Sequence, residues 1–467
     1  MEHMQKPKPK IGLLPFYLKL YDDTNPALRP RFSAFMNNVA DGFAARGIAV
    51  ARADVCRLNS EFAEAVAHFE KEGVDCIVTL HLAYSPSLEA INALTKNDLP
   101  ILILDTTMDA SFGLDAYPDR IMYNHGIHGV MDMASVLRRR GRPFQIVAGH
   151  MGDDDLLDRA ALLVRAASGA NRLRNTKALR VGESFRGMGD FFVEADVLKS
   201  VLGIAVEQIA AADLVPDVEA ITDEEVEKEM ALDRTRFTCA VPEKVHARSV
   251  RVGLGLRRRL EIGGYDAFSM NFLSFDQPDG PVNTVPFIEA SKAMARGLGY
   301  AGEGDVLTAA LVGALSRAFG KTTFTEIFCP DWEGNSLFLS HMGEINPEIA
   351  GETPRIVEKP FPYTPAQNPA VIACAPKAGP AVFADLVPGP NDAFSLIVAQ
   401  VEMLGDTTND KMKDAIRGWM RPACGVREFL EAYSRHGGTH HSALVMGREP
   451  EAVCAFGEFA ALPVVRI

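Results

Sequence analysis

The sequence predicts an α/β protein in three parts. These are a doubly wound parallel-sheet domain over residues 1–172, an α/β middle domain over 173–320 and a β-barrel-like domain over 321–467. Three observations predict it. Short apolar runs alternate with amphipathic stretches through the first third, as strands and helices do along a parallel sheet. After one strand the middle third reads as mostly helical. From Thr323 onward, short β-rich runs are separated by Pro and Gly, the texture of a barrel or sandwich.

In the first part, strands are expected at Ile11–Tyr17, Ile48–Ala53, Cys76–Leu80, Ile101–Leu104 and Phe144–Ala148. Helices are expected at Arg31–Arg46, Glu61–Glu72, Ser87–Thr95, Gly129–Arg139 and Leu156–Ala167. In such sheets ligands gather beyond the carboxyl ends of the strands. In the second part, Ala178–Val181 is a strand, Thr222 and Glu225 form a capping box, and Val245–Leu260, Pro286–Leu298 and Asp305–Phe319 are helices. Arg257–Arg259 reads as a solvated helix face. In the third part, strands are expected at Phe324–Phe328, Ser336–Leu339, Ala370–Cys374, Ala381–Leu386, Phe394–Val401 and Ser442–Val445.

With 467 residues, 47% apolar and 23% charged, the chain can bury a large core without disulfides or structural metals. Its 48 basic and 61 acidic side chains leave a net charge of −13, which argues against a broad grip on nucleic acid or anionic lipid. The seven cysteines are scattered and contain no CxxC pair, so reduced thiols in a cytoplasmic protein are expected. No apolar stretch reaches 18 residues, and neither a membrane span nor a signal peptide is expected.

Several motifs fail. GKTT at 320–323 follows a helix instead of opening one, which excludes a phosphate loop. GESFRG around Ser184 misses the nucleophile-elbow spacing. Chemistry concentrates in the C-terminal half. Glu303 sits in YAGEGD, a glycine-flanked turn ahead of an apolar helix. Glu326 lies within FTEIF, where a carboxylate needs a partner or a cation. A hairpin symmetric about Glu333–Gly334 puts Glu326 opposite His341, and a one-residue slip separates them. GGTHHS carries His440 and His441 at the start of a strand. Adjacent strand residues face opposite ways, so one of the two reaches a shared site. Two carboxylates with histidines suit Mn²⁺, with Co²⁺ or Mg²⁺ as alternatives, better than a closed zinc site.

These elements together resemble the L-arabinose isomerase and L-fucose isomerase-like enzymes, closest to the arabinose branch. The family's Glu in GEGD, Glu in Phe-x-Glu, His in Ser-His-Met-x-Glu and His in Gly-Gly-x-His-His bind one Mn²⁺. They match Glu303, Glu326, His341 and His441 in the same order. The resemblance therefore implies that the second histidine of the pair is the ligand. It also implies substrate contacts from His128 in NHGIHGVMD and from Phe185 and Arg186 in ALRVGESFRGM. Three segments depart from the family, one of them IFCPDW, which follows Glu326 where the arabinose enzymes carry an acidic, aromatic run. Leu18-Lys19-Leu20-Tyr21 replaces Gln-His-Leu-Tyr, and His125 replaces a Gln, so the ligands persist while the pocket changes.

The resemblance implies a metal-dependent aldose–ketose isomerase acting on a pentose, hexose or deoxy sugar through a cis-enediol, with Glu303 and Glu326 moving the proton. The alternatives are an epimerase or dehydratase using the same site, or a non-catalytic sugar-binding protein. Family members form homo-oligomers, hexamers in the arabinose branch, with the N-terminal domain of one subunit over the metal site of its neighbour. No nucleic-acid or membrane partner is expected.

Overall fold

The computed structural model describes residues 8–405 and 411–467. They form two compact units. One holds the described residues up to Asn171 together with Ala455–Ala461. The other holds Arg172–Cys454 and Leu462–Ile467.

The first unit is built on β1 (Lys10–Phe16), β2 (Ala49–Arg52), β3 (Cys76–His81), β4 (Ile101–Asp105) and β5 (Gln145–Ala148). All pairs are parallel, in the order β2-β1-β3-β4-β5. β3 is buried along its whole length and β1 almost so, as unbroken apolar runs covered by helices on both faces require. Phe16, Phe62, Phe69, Ile77, Leu94, Ile103 and Met133 belong to one core cluster of this unit. The strand order reverses between β1 and β3, and Leu18, Tyr21 and the segment 81–85 follow their carboxyl ends.

The second unit carries β6 (Lys177–Val181), β7 (Ala205–Ile209), β8 (Thr238–Ala240), β9 (Ala267–Met270) and β10 (Gly299–Gly302). There follow β11 (Thr322–Asp331), β12 (Ser336–Ser340), β13 (Arg355–Glu358), β14 (Ala370–Ala373), β15 (Gly379–Pro388), β16 (Phe394–Leu404), β17 (Gly418–Pro422), β18 (His441–Met446) and β19 (Val464–Arg466). The middle third is less helical than its sequence predicts. β10-β9-β6-β7 form a parallel sheet there. AFSM and GYAG are strands of four fully buried residues, too short to show a period. β8, β13 and β14 make a separate small sheet.

The C-terminal strands close into a barrel. They run β15-β18-β11-β12-β17-β16, and β16 pairs back onto β15, so these six antiparallel strands leave no open edge among themselves. The helix Val306–Phe319 joins the two sheets. It is apolar all round and almost wholly buried, because it packs on β9 and β10 as well as on β11, β15 and β18. Its N-cap, Asp305, thereby reaches His441 at the start of β18, 3.0 Å away.

Arg257–Arg259 is not a uniformly solvated face. Arg257 is buried and pairs with Glu289 at 2.7 Å and Glu229 at 2.8 Å. Lys292, also buried, pairs with Glu229 at 2.9 Å and Asp233 at 2.5 Å. Three helices, Asp223–Arg236, Glu243–Gly263 and Phe287–Arg296, are stitched together by this network. Only their packing brings the carboxylates to Arg257.

Candidate metal centre

Glu303 follows β10 in a turn that the surrounding chain holds tightly. Its φ is +63°, an uncommon conformation for a residue with a side chain. Two donors hold the turn: Phe185 N–H to the Glu303 carbonyl at 2.9 Å, and buried Arg180 Nε to the Gly304 carbonyl at 3.1 Å. The flanking glycines are there for close approach. A Cβ on Gly302 would lie 2.5 Å from His341 Cε1, and one on Gly304 would lie 2.7 Å from Ser184 Cα.

The β11–β12 hairpin keeps the expected register near its turn, where Asp331 faces Ser336 and Cys329 faces Phe338. An irregularity between Ile327 and Cys329 then shifts it by one, so Glu326 pairs with Ser340 and not with His341. His341 lies just beyond the strand and still reaches Glu326, Nε2 to Oε2 at 3.9 Å. On the other side of β11, Glu326 is directly paired with His441 of β18.

Two overlapping groups of potential ligands result: Glu326, His341 and His441, and Glu303, His440 and His441. Within each, the ligand atoms lie within 4.8 Å of one another. Among the described residues these are the groups of three or more such side chains. All four residues assigned to the cation by family resemblance therefore converge. His440 converges with them, against the expectation that it faces away. β18 begins at His441, so the alternation of a strand does not extend back to His440.

Each imidazole is held from behind by a carboxylate. Glu344 Oε2 is 2.7 Å from His341 Nδ1, Asp305 Oδ2 is 3.0 Å from His441 Nδ1, and Asp190 Oδ2 is 2.6 Å from His440 Nδ1. This is the arrangement in which metal-binding histidines present their other nitrogen. Glu344 also accepts from Gly343 N–H and from the Tyr300 hydroxyl. Asp305 spends its second oxygen capping the helix Val306–Phe319, accepting from Thr308 N–H at 2.9 Å. One carboxylate thus starts the helix and aims His441. Glu303 Oε2, His341 Nε2 and His441 Nε2 are buried and bonded to nothing in the protein. Three buried donor atoms left free by supported side chains fit a divalent cation.

The electrostatics separate the two glutamates. Burial favours the protonated form of Glu303, but the neighbouring His440 ring, 3.6 Å away, and the charges of His441 and His341 outweigh this and lower its pKa. Burial dominates at Glu326 and raises its pKa, with the histidines opposing. At His341 burial is outweighed by the Glu344 carboxylate, which favours the charged ring. Burial is outweighed likewise in the partly exposed pair: the bonds to His440 hold Asp190 at about 2, and Asp190, with Glu303, holds His440 at about 10.

The residues expected around the sugar fall into two places. Phe185 and Arg186 follow β6 in the second unit and line a cavity of about 540 Å³ with Glu183, Met188 and Phe192, the Arg186 side chain being largely exposed. Leu18, Tyr21, His125 and His128 belong to the first unit, where three of them assemble. The Tyr21 hydroxyl is 3.0 Å from His125 Nε2, and the rings of His125 and His128 are 5.8 Å apart, edge to face. Leu18 is half-buried at the head of the helix Lys19–Thr24.

Sequence reading did not find Glu344, Asp305 or Asp190 as supports. Glu344 and Asp305 were within reach, one three residues after His341 and the other inside GEGD. Asp190 is 250 residues from His440 and sends no local signal.

The comparisons with known proteins agree with this geometry. Residues 187–319 match the L-arabinose isomerase central domain and residues 321–463 the L-arabinose isomerase C-terminal domain. The chain is 28% identical to L-arabinose isomerase 1 of Bacillus licheniformis, covering 86% of this chain and 82% of that protein. It is 29% identical to L-arabinose isomerase of Geobacillus kaustophilus (84% and 80% covered) and 28% identical to that of Klebsiella pneumoniae strain 342 (80% and 77%). Two consecutive domains of one enzyme, matched in order over more than half of the chain and ending on a coherent ligand cluster, place this protein in the L-arabinose isomerase family.

Proposed function

We propose that the protein is a metal-dependent aldose–ketose isomerase acting on a pentose, hexose or deoxy sugar. The observation that carries the proposal is the convergence of Glu303 Oε2, His341 Nε2 and His441 Nε2, buried and without protein partners, beside Glu326. Glu303, Glu326, His341 and His441 would hold the ion, Mn²⁺ suiting two carboxylates and two imidazoles best. When bound, the cation supplies a Lewis acid for the sugar carbonyl.

The chain's own groups move the protons. Glu303, held as the anion, takes the proton from C2 of the opened aldose and returns it to C1. Glu326 gives a proton to O1 and takes one back from the O2 hydroxyl. The cis-enediol lies between these transfers, and atoms and charge balance to give the ketose. His128, His125, Leu18 and Tyr21 supply the distal sugar contacts, and Phe185 and Arg186 those near the metal. Because the first group lies in the N-terminal unit, a homo-oligomer closing the site in trans completes it. A monomer fully active in sedimentation experiments excludes that arrangement.

The test is to incubate the purified chain and Mn²⁺ with a panel of aldoses and ketoses and follow products by NMR. A ketose formed from an aldose supports the proposal. A keto-deoxy product shifts the assignment to dehydration, an epimer shifts it to epimerisation, and absence of metal-dependent turnover rejects it.

A further inference from the structure

His440 is supported like its two neighbours yet stands in a different place. Asp190 Oδ2 accepts from both the backbone N–H of His440, at 2.9 Å, and its ring Nδ1, at 2.6 Å. The position and the rotation of the ring are thereby fixed together, with Nε2 lying 3.6 Å from Glu303 Oε2. Phe191, the residue after Asp190, stacks on the His441 ring at 4.9 Å and lies 5.5 Å from that of His440. The same short segment therefore seats both histidines. Their exposure differs sharply. The His341 and His441 side chains are 1% and 0% exposed, whereas His440 keeps 30%.

We infer, building on the isomerase reading above, that His440 is the imidazole of this cluster that touches the sugar rather than a fifth donor to the cation, and that Asp190 is its positioning residue. A metal donor is served by the sealed interior, where His341 and His441 already stand. A substrate-facing group must be reachable from outside and must not wait for the substrate to order it. His440 meets both conditions, since Asp190 fixes it within the folded chain. His440 Nε2, 3.6 Å from buried Glu303 Oε2, belongs to the one partly exposed imidazole at this edge of the metal centre, where a sugar hydroxyl can bond to the ring. The ligand class is thus a polyhydroxylated chain that brings a hydroxyl against this edge of the metal centre.

The test uses the full chain, stripped with chelator and reloaded, in the variants His440→Ala, His440→Gln, Asp190→Asn and His441→Ala. Calorimetry measures Mn²⁺ binding. A non-reacting pentitol is then titrated into the Mn²⁺-loaded protein, and kcat and KM are measured on a sugar the wild type converts. His440→Ala and Asp190→Asn are expected to bind Mn²⁺ as the wild type does, whereas His441→Ala loses the ion. Pentitol affinity should fall about tenfold in His440→Ala, as for one lost hydrogen bond, and less in Asp190→Asn. In Asp190→Asn, KM should rise more than kcat falls. Asp190→Glu, which restores a carboxylate, should recover part of the loss. Loss of Mn²⁺ binding in His440→Ala and His440→Gln, with thermal stability retained, would make His440 a ligand and overturn the inference. Unchanged pentitol affinity and kcat/KM in both His440 variants would overturn it as well. A wild-type chain that binds the pentitol but converts no sugar would count against the isomerase reading alone.

Discussion

At the scale of the residue, the site consists of ordinary side chains made unusual by where they stand. Glu303 and Glu326 have the same chemistry, yet one is surrounded by histidines and the other is governed by burial, so their pKa values move in opposite directions. On the proposed mechanism, replacing either with Gln removes a proton carrier and the negative charge offered to the cation. Turnover should fall at least ~10²–10⁴-fold in each variant, the range of general acid–base participation alone, and steady-state kinetics on the sugar found by the panel will show it. Near-normal turnover in one variant would remove that glutamate from the proton path. Gly302 provides a test that removes no functional group. Its Cβ would stand 2.5 Å from the His341 ring, so Gly302→Ala must displace either the ring or the turn. Weaker Mn²⁺ binding and a loss of about 1–3 kcal/mol of stability, read by calorimetry and denaturant melts, are the expected results.

At the scale of the element, the loop that carries the histidine pair is held through Thr439 by a carboxylate on another strand. Asp385 on β15 is fully buried and accepts from the Tyr433 hydroxyl at 2.6 Å and from Thr439 N–H at 2.7 Å. Thr439 in turn donates to the His441 carbonyl at 2.7 Å. Burial, partly offset by these donors, pushes the Asp385 carboxyl up to about 7. A carboxyl whose folded pKa lies above its unfolded one binds its proton more tightly in the fold. Its contribution is therefore full below about pH 4 and is lost as pH climbs through about 7. Asp385→Asn mimics the protonated form and should remove this slope. The Tm of the wild type relative to the variant should fall between pH 4 and pH 7, and a constant difference across that range would reject the assignment.

At the scale of the molecule, the candidate metal site lies where separate elements of the second unit meet, so an ion bound there would couple to its stability. β10, the helix Val306–Phe319, β11 and β18 each deliver or support a ligand through Glu303, Asp305, Glu326 and His441. An ion bound to this folded arrangement stabilises it by mass action, about 2.7 kcal/mol at 100 times Kd. Mn²⁺ should raise the Tm of chelator-treated protein and chelator should reverse the rise, measured by scanning calorimetry at fixed protein concentration. In His441→Ala the shift should vanish. An equal shift in that variant would mean that the ion binds elsewhere.

The alternation of apolar runs, the capping box at Thr222 and the β-rich C-terminal texture are local patterns, and the elements they imply were legible because burial on a regular lattice leaves a period in the chain. Glu303, Glu326, His341 and the pair His440–His441 were legible as candidates, because a Glu in GEGD, a Glu inside an apolar strand and histidines beside glycine are chemically out of place where they stand, whereas the choice of His441 over His440 came from the family resemblance. What only the tertiary structure decided depends on distance in space or on single-residue register. The slip between Ile327 and Cys329 that moves Glu326 off His341 is a local irregularity that residue counting cannot see. The turn of His440 toward the cluster depends on where β18 begins and on Asp190, far away in the chain. The burial of Arg257 depends on Glu229 and Glu289 arriving from two other helices. Periodicity records which side of an element faces a core, whereas the partner it meets there is set by the packing of the whole unit.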